Sequence, residues 1–393
     1  MIAIKRRSSM ASDRHSPLFL ASFVIFVLVS VVSVSGVAFS IATGTVQDWV
    51  SYWAAGHLLV HHANPYDNAA VVQLERAHGL NPRTHVLIAR NPPSALWTMA
   101  PLGYLSFYAG GLLWRLLQAL LLGVCVHLLW VQSGRTPGRW HLLAFLFIGS
   151  IACVGSGQSS IFALLGTVVF LRFRENRPLA AGAALSLCAF KPHLFLPFAL
   201  VMLLWTVQRR MYRLFLGLGA AVAGQLLLAW CIYPDVFASY AHAMLSDGIE
   251  DQYMPAIAVA LRFLISRHAM WLGFVPALLG CAWATWYFAR KRTGWNWSQE
   301  LPLLLLVSLI AAPYAWIVDG VLVVPAIVSV APVCSESSRA ALLLLMSAAI
   351  FQYCLAANMD SPWLLWQVPA FFGWYLYART MTNEPANVTV ACA

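Results

Sequence analysis

The sequence predicts an all-α, multi-pass transmembrane protein with about twelve crossings and short non-spanning helices at one face. Three observations predict it. Of the 393 residues, 61% are apolar and 10% are charged, and the mean hydropathy is +0.74. Soluble domains run near about 45–50% apolar and about 25% charged. The basic residues fall in short clusters between apolar runs, as in the cytoplasmic loops of membrane proteins. The first apolar run, 18–42, carries no charge and far exceeds the roughly 7–15 residues of a signal-peptide core. Together these exclude a disordered chain, a coiled coil, a secreted disulfide scaffold and an ordinary cytosolic enzyme.

The basic clusters and the lengths of the apolar runs order the elements. Lys5-Arg6-Arg7 place the N-terminus inside, and 18–42 crosses outward as an uncleaved helix. The stretch 43–92 is the main external loop, with juxtamembrane helices. Arg135 and Arg139 belong inside, so 93–132 crosses an odd number of times. The piece 92–104 is therefore non-spanning, and 108–132 makes the crossing. The runs then alternate: 140–153 outward, 157–173 inward, 178–190 outward, 193–208 inward and 212–233 outward. A second external loop and non-spanning segment, 234–268, carries Asp235, Asp247, Glu250 and Asp251. Arg290-Lys291-Arg292 bring 270–290 inward. The last runs, 299–312, 315–333, 339–357 and 362–378, return the C-terminus to the inside. Residues 1–393 form a single membrane domain without internal repeats. The net charge of +10 is positive-inside patterning rather than a nucleic-acid footprint. The eight cysteines form no C-x-x-C pair and read as free thiols.

On this topology the polar motifs gather at the external ends. Asp48 opens Asp48-Trp49-Val50-Ser51-Tyr52-Trp53-Ala54-Ala55-Gly56, where a helix places Asp48 and Tyr52 on one face. A partly desolvated carboxylate there suits a general base; a helix cap beside an aromatic belt accounts for it equally. Asp67, after Asn64-Pro65-Tyr66, fits turn or cap chemistry as well as a binding role. His57, His61 and His62 lack the H-E-x-x-H pattern, so no metal is expected. Asn91-Pro92-Pro93 and Gly157-Gln158 add further turns.

Lys191-Pro192 ends an apolar run, where a cation is paired, snorkelling or used, for instance on a phosphate. Asp319 lies in an apolar run too; inserting an acid at such depth costs about 2.5–3.5 kcal/mol, so it is paired or used. Arg262 and Arg267 are candidate partners for Asp319 or for an anionic head group, and Arg90 and Arg115 are further candidates. Trp53, Trp97 and Trp316 suit sugar faces or interface packing. No P-loop or dinucleotide motif is present. An external site does not meet cytosolic nucleotides, so an activated substrate arrives on a lipid, and no cofactor is expected.

Assembled, these motifs resemble the multi-spanning glycosyltransferases of family 87, in the GT-C superfamily. The family includes polyprenol-phosphate-mannose-dependent alpha-(1,2)-mannosyltransferases. The resemblance runs through most of the chain. Its carriers are Asp48 in its Asp-Trp-x-x-Tyr-Trp-Ala-Ala-Gly block, Asn64-Pro65-Tyr66-Asp67, Asn91-Pro92-Pro93 with Pro101-Leu102, Gly157-Gln158, Lys191-Pro192, and Pro313-Tyr314-x-Trp316-x-x-Asp319. It implies that Asp48, an acid just after the first helix, is the catalytic base. It also implies transfer of a hexose, with mannose borrowed from the family, from a polyprenyl-phosphate-linked donor to a lipid or cell-envelope glycan acceptor. The setting is the outer face of a bacterial cytoplasmic membrane, and direct displacement inverts configuration. Tyr52, Trp53, Asp67, Gln158, Lys191, Arg262, Arg267, Tyr314 and Asp319 are the candidate substrate-binding residues. The chain departs from the family at Ala312-Pro313-Tyr314, where Ser-Pro-His is common. A transporter or lipid flippase is the competing class, because buried charges and broken helices also mark transport paths.

Overall fold

The computed structural model describes residues 15–42, 48–78, 89–136, 138–246, 251–356 and 360–382. The basic trio at 5–7, the acids Asp247 and Glu250, and Cys392 lie outside the described residues. Every regular element among the described residues is helical. Five helical stretches are long and apolar enough to cross a membrane: Pro17–Gly36, Phe107–Gln132, Tyr212–Ile232, Met270–Gly294 and Glu336–Leu355. They lie within or comprise α1 (Pro17–Ala42), α5 (Phe107–Gln132), α11 (Tyr212–Ile232), α14 (Val275–Lys291) and α17 (Glu336–Leu355). Shorter apolar helices fill the space between them. These are α8 (Ser160–Phe173), α9 (Pro178–Leu185), α10 (Leu196–Gln208), α12 (Val236–Leu245), α15 (Trp297–Ile310) and α16 (Val324–Val330).

The external stretch expected over 43–92 contains α2 (Asp48–Val60) and α3 (Asn68–Ala77). The short run expected at 92–104 is a 3₁₀ turn, Pro93–Ala95, followed by α4 (Leu96–Gly103). α2 and α4 meet backbone to backbone. A Cβ on Gly56 would lie 2.1 Å from the Met99 carbonyl oxygen, and one on Gly103 would lie 2.2 Å from that of Gly56. The segment 255–268 contains α13 (Ile257–Ile265).

Several runs expected as continuous helices are broken, three of them around the site described below. The run 140–153 splits at Phe147, whose backbone is extended, into α6 (Leu143–Leu146) and α7 (Ile148–Ser156). The break lies where Gly149 presses on the backbone of Gly320, leaving no room for a Cβ (2.5 Å). The run 178–190 tightens after α9 into a 3₁₀ turn, Ser186–Phe190. The run 315–333 begins as a 3₁₀ turn, Ile317–Val323, before α16. Apolar runs do not distinguish 3₁₀ from α periodicity, so these breaks are not visible in the pattern of hydrophobic residues.

Side-chain contacts sort the helix ends into two sets. In one set the Ser16 N–H donates to Glu336 Oε1 (2.6 Å), joining the starts of α1 and α17. Arg339 lies over the Trp140 ring (4.9 Å). Glu300, at the start of α15, meets Lys291 (2.9 Å) and Arg379 of α18 (Gln367–Thr382; 3.3 Å). The other set holds Asp48, Asn91, Gln158, Lys191, Trp316 and Asp319, and forms the site below.

Candidate active site

The turn between α7 and α8 is the centre of the site. Gly157 adopts a left-handed φ of +79°, and a Cβ there would lie 2.5 Å from Trp49 Cβ; only glycine fits. Its carbonyl accepts from Trp114 Nε1 (2.7 Å), and the Gln158 carbonyl accepts from Gln118 Nε2 (2.9 Å), both from α5. Arg115 donates from Nε to the Gly155 carbonyl (3.1 Å) and lies over the Trp49 ring (5.5 Å). α5 thus fixes the turn, and the turn presents the Gln158 side chain to α2.

Asp48 is the first residue of α2 and is half-buried. Tyr52, one turn on, donates its hydroxyl hydrogen to Gln158 Oε1 (2.7 Å). That leaves the Gln158 amide NH₂ to donate to the Asp48 carboxyl. Burial raises the Asp48 pKa above its ordinary 3.8, while the Gln158 hydrogen bond and the Lys191 charge hold it back. Burial is the largest influence, opposed by the Gln158 amide, the Lys191 charge and the Ser156 hydroxyl and reinforced by the Asp319 charge.

Asp319 is held quite differently. It is fully buried on the 3₁₀ turn Ile317–Val323. Its Oδ1 accepts from Ser160 Oγ (2.5 Å) and Lys191 Nζ (2.7 Å), and its Oδ2 accepts from the Trp316 N–H (2.9 Å). Lys191 follows the 3₁₀ turn Ser186–Phe190, so α8, the end of the α9 run and the 317–323 turn are pinned at one point. The expected partners Arg262 and Arg267 do not fill this role. Arg262 is buried against the Phe263 ring and contacts Met270 Sδ. Arg267 is exposed, 4.0 Å from Asp251. A cation close in space, on the bend between the 3₁₀ turns Ser186–Phe190 and Pro192–Leu194, takes their place, and pairing across the fold is not readable from chain order.

Two further groups border this centre. Tyr66 donates to the Asn91 carbonyl (2.9 Å), and Asn91 Nδ2 donates to Ser159 Oγ (3.1 Å). Arg90 NH1 donates to Gln252 Oε1 (2.9 Å), Gln252 Nε2 donates to Asp360 Oδ2 (3.1 Å), and Asp360 Oδ1 accepts from Trp316 Nε1 (3.0 Å). Tyr314 stacks on His193, with ring centroids 3.8 Å apart.

Of the candidate residues, the fold brings Asp48, Tyr52, Gln158, Lys191, Tyr314 and Asp319 into one region. Trp53 is engaged elsewhere: it is buried, donates to the Leu105 carbonyl (3.0 Å) and packs on Phe107. Asp67 is exposed and caps α3, accepting from the Ala69 and Ala70 N–H groups (3.0 and 3.1 Å). Sequence reasoning passed over Ser159, Ser160, His193, Gln252 and Asp360. The two serines follow Gly157-Gln158 directly, and His193 follows Lys191-Pro192, so adjacency to those motifs was the available signal. Gln252 and Asp360 carry none.

The family model Glycosyltransferase family 87 matches residues 90–313. The match covers more than half of the chain, and the chain belongs to that family. It includes Asn91, Gln158 and Lys191 and stops short of Asp48, Tyr314 and Asp319. No curated protein and no solved structure matches the chain.

Proposed function

We propose that this member of family 87 transfers a hexose, mannose by resemblance, from a polyprenyl-phosphate-linked donor to a hydroxyl of a lipid or cell-envelope glycan acceptor. Membership makes the protein a membrane glycosyltransferase, acting on a sugar donor and an acceptor. In the proposed reaction Asp48 takes the proton from the acceptor hydroxyl as its oxygen attacks the anomeric carbon. The bond from that carbon to the phosphate oxygen breaks, the lipid phosphate leaves with the electron pair, and configuration inverts. Lys191 has three N–H donors, and Asp319 takes one of them, so the ammonium can also meet the leaving phosphate. Tyr52 and Gln158 position Asp48.

The single observation that carries this reading is the half-buried Asp48, met by neutral donors alone, beside the Lys191–Asp319 pair. The proposed setting is the outer face of a bacterial cytoplasmic membrane, with about twelve crossings and both termini inside. The sorting of helix ends supports it: the ends assigned inside touch one another, and the ends assigned outside touch one another.

The test is transfer from synthetic polyprenyl-phosphate-mannose in proteoliposomes, native protein against Asp48→Asn. Transfer that collapses in the variant supports the reaction and the base together. Transfer retained by both removes Asp48 from the chemistry. Movement of the intact lipid across the bilayer, without a new glycosidic bond, would replace the reading with a flippase.

A further inference from the structure

His193 sits in the 3₁₀ turn Pro192–Leu194, two residues beyond Lys191. Its ring lies nearly parallel to Tyr314, at 25° and 3.8 Å between centroids, and it is close enough to Asp319 and Lys191 to feel both charges. Its Nε2 is buried and has no hydrogen-bond partner among the described residues. Buried polar atoms are almost always paired, and an exception calls for a specific reason. Here the exception stands beside the ion pair at the centre of the site. Tyr314 covers one face of the ring, and the Nε2 edge is left without a partner among the described residues.

We propose that His193 is a specificity-determining residue whose Nε2 hydrogen-bonds one hydroxyl of the transferred sugar. This rests on the glycosyl-transfer reading above. A hydroxyl both donates and accepts, so it satisfies Nε2 in either tautomer. A phosphate oxygen only accepts, and Lys191 already supplies a cation for it. Because the donor phosphate is bonded to the transferred sugar, a group two residues from Lys191 meets that sugar rather than the acceptor.

The test uses His193→Phe, which keeps a flat ring for Tyr314 and removes the nitrogens. Substrates are polyprenyl-phosphate-mannose and its monodeoxy analogues, with donor binding followed separately by tryptophan fluorescence. His193→Phe is expected to lower kcat/KM roughly ten- to hundredfold while leaving the unfolding midpoint near native. One monodeoxy analogue should show the same drop with native protein and no further drop with the variant, while the other analogues keep the full drop. His193→Gln, which restores a polar group, should recover part of the loss. Unchanged kcat/KM, or a drop that adds fully to that of every analogue, overturns the proposal. If native protein binds the donor without transferring it, the transfer reading falls, and His193 is judged by whether His193→Phe weakens binding at least tenfold. If native protein neither binds nor transfers, both fall.

Discussion

Neutralising Lys191 and Asp319 one at a time, and then together, tests how the site is held. Asp319 is fully buried and Lys191 is 7% exposed, with 2.7 Å between their charged atoms. Lys191→Met leaves the Asp319 carboxylate with Ser160 and the Trp316 N–H but no cation. Asp319→Asn leaves an unpaired ammonium. Breaking a buried pair from one side costs about 3–5 kcal/mol, because the remaining charge is uncompensated. The double variant Lys191→Met/Asp319→Asn removes both charges and keeps an acceptor for Ser160 or Trp316, so its loss should be only about 1–3 kcal/mol. Stability is read by denaturant titration in detergent micelles, with glycosyl transfer measured on the same preparations. The double variant should be closer to native in stability than either single variant, yet inactive, because the proposed phosphate cation is gone. Single variants within about 0.5 kcal/mol of native, or a double variant as damaged as the sum of the singles, would refute the coupling.

Further predictions concern Asp48, the turn that supports it, and the opposite end of the molecule. The raised Asp48 pKa places the acid limb of kcat/KM above the ordinary carboxylate range, activity falling as pH drops through it, and Gln158→Leu should move that limb higher by removing a hydrogen bond to the charged form. A carboxyl with a raised folded-state pKa binds more protons folded than unfolded, so stability declines as pH rises from the ordinary value through the folded one. Asp48→Asn should abolish that decline and leave the protein more stable at neutral pH, as chemical denaturation at several pH values will show. Gly157→Ala should cost about 1–3 kcal/mol from the left-handed backbone, more with the Trp49 clash, and should lower kcat by displacing Gln158. Glu300→Gln weakens contacts to Tyr287 (2.7 Å), Lys291 (2.9 Å) and Arg379. It should lower stability by about 1–3 kcal/mol while kcat and KM of the folded enzyme stay native.

The helical class and the five long apolar helices were legible because membrane insertion demands long, predominantly apolar runs, and such runs survive in plain sequence. The polar motifs were legible for a related reason: a buried Lys191 or Asp319 stands out against an apolar background. Pairing was not. Lys191 and Asp319 are 128 residues apart, and nothing in either segment names the other. The 3₁₀ turns were equally hidden, yet they frame the site. Ser186–Phe190 delivers Lys191, Ile317–Val323 carries Asp319, and Pro93–Ala95 follows Asn91. A 3₁₀ turn advances farther per residue than an α-helix and rotates successive side chains differently. Helical spacing therefore misplaces the residues that matter most.

Three acids stand among the candidate residues, and their hydrogen bonds separate them. Asp67 spends one oxygen on the N-terminal amides of α3 and is exposed. Asp319 receives three donors, one of them a cation, so a proton transferred to it would displace strong interactions. Asp48 meets only neutral donors, the Gln158 amide and the Ser156 hydroxyl, and burial has raised the proton affinity of its half-buried carboxyl. Two acids near one lysine, one half-buried and one fully buried, are thereby driven to opposite uses. The one that captures the cation becomes a strut, and the one left without it retains the lone pairs and the basicity that a reaction at a hydroxyl requires. Moving the cation should therefore move the role. A variant that frees Lys191 from Asp319 brings its charge to bear on Asp48, lowers that carboxyl's proton affinity, and should slow transfer even where substrate binding is intact.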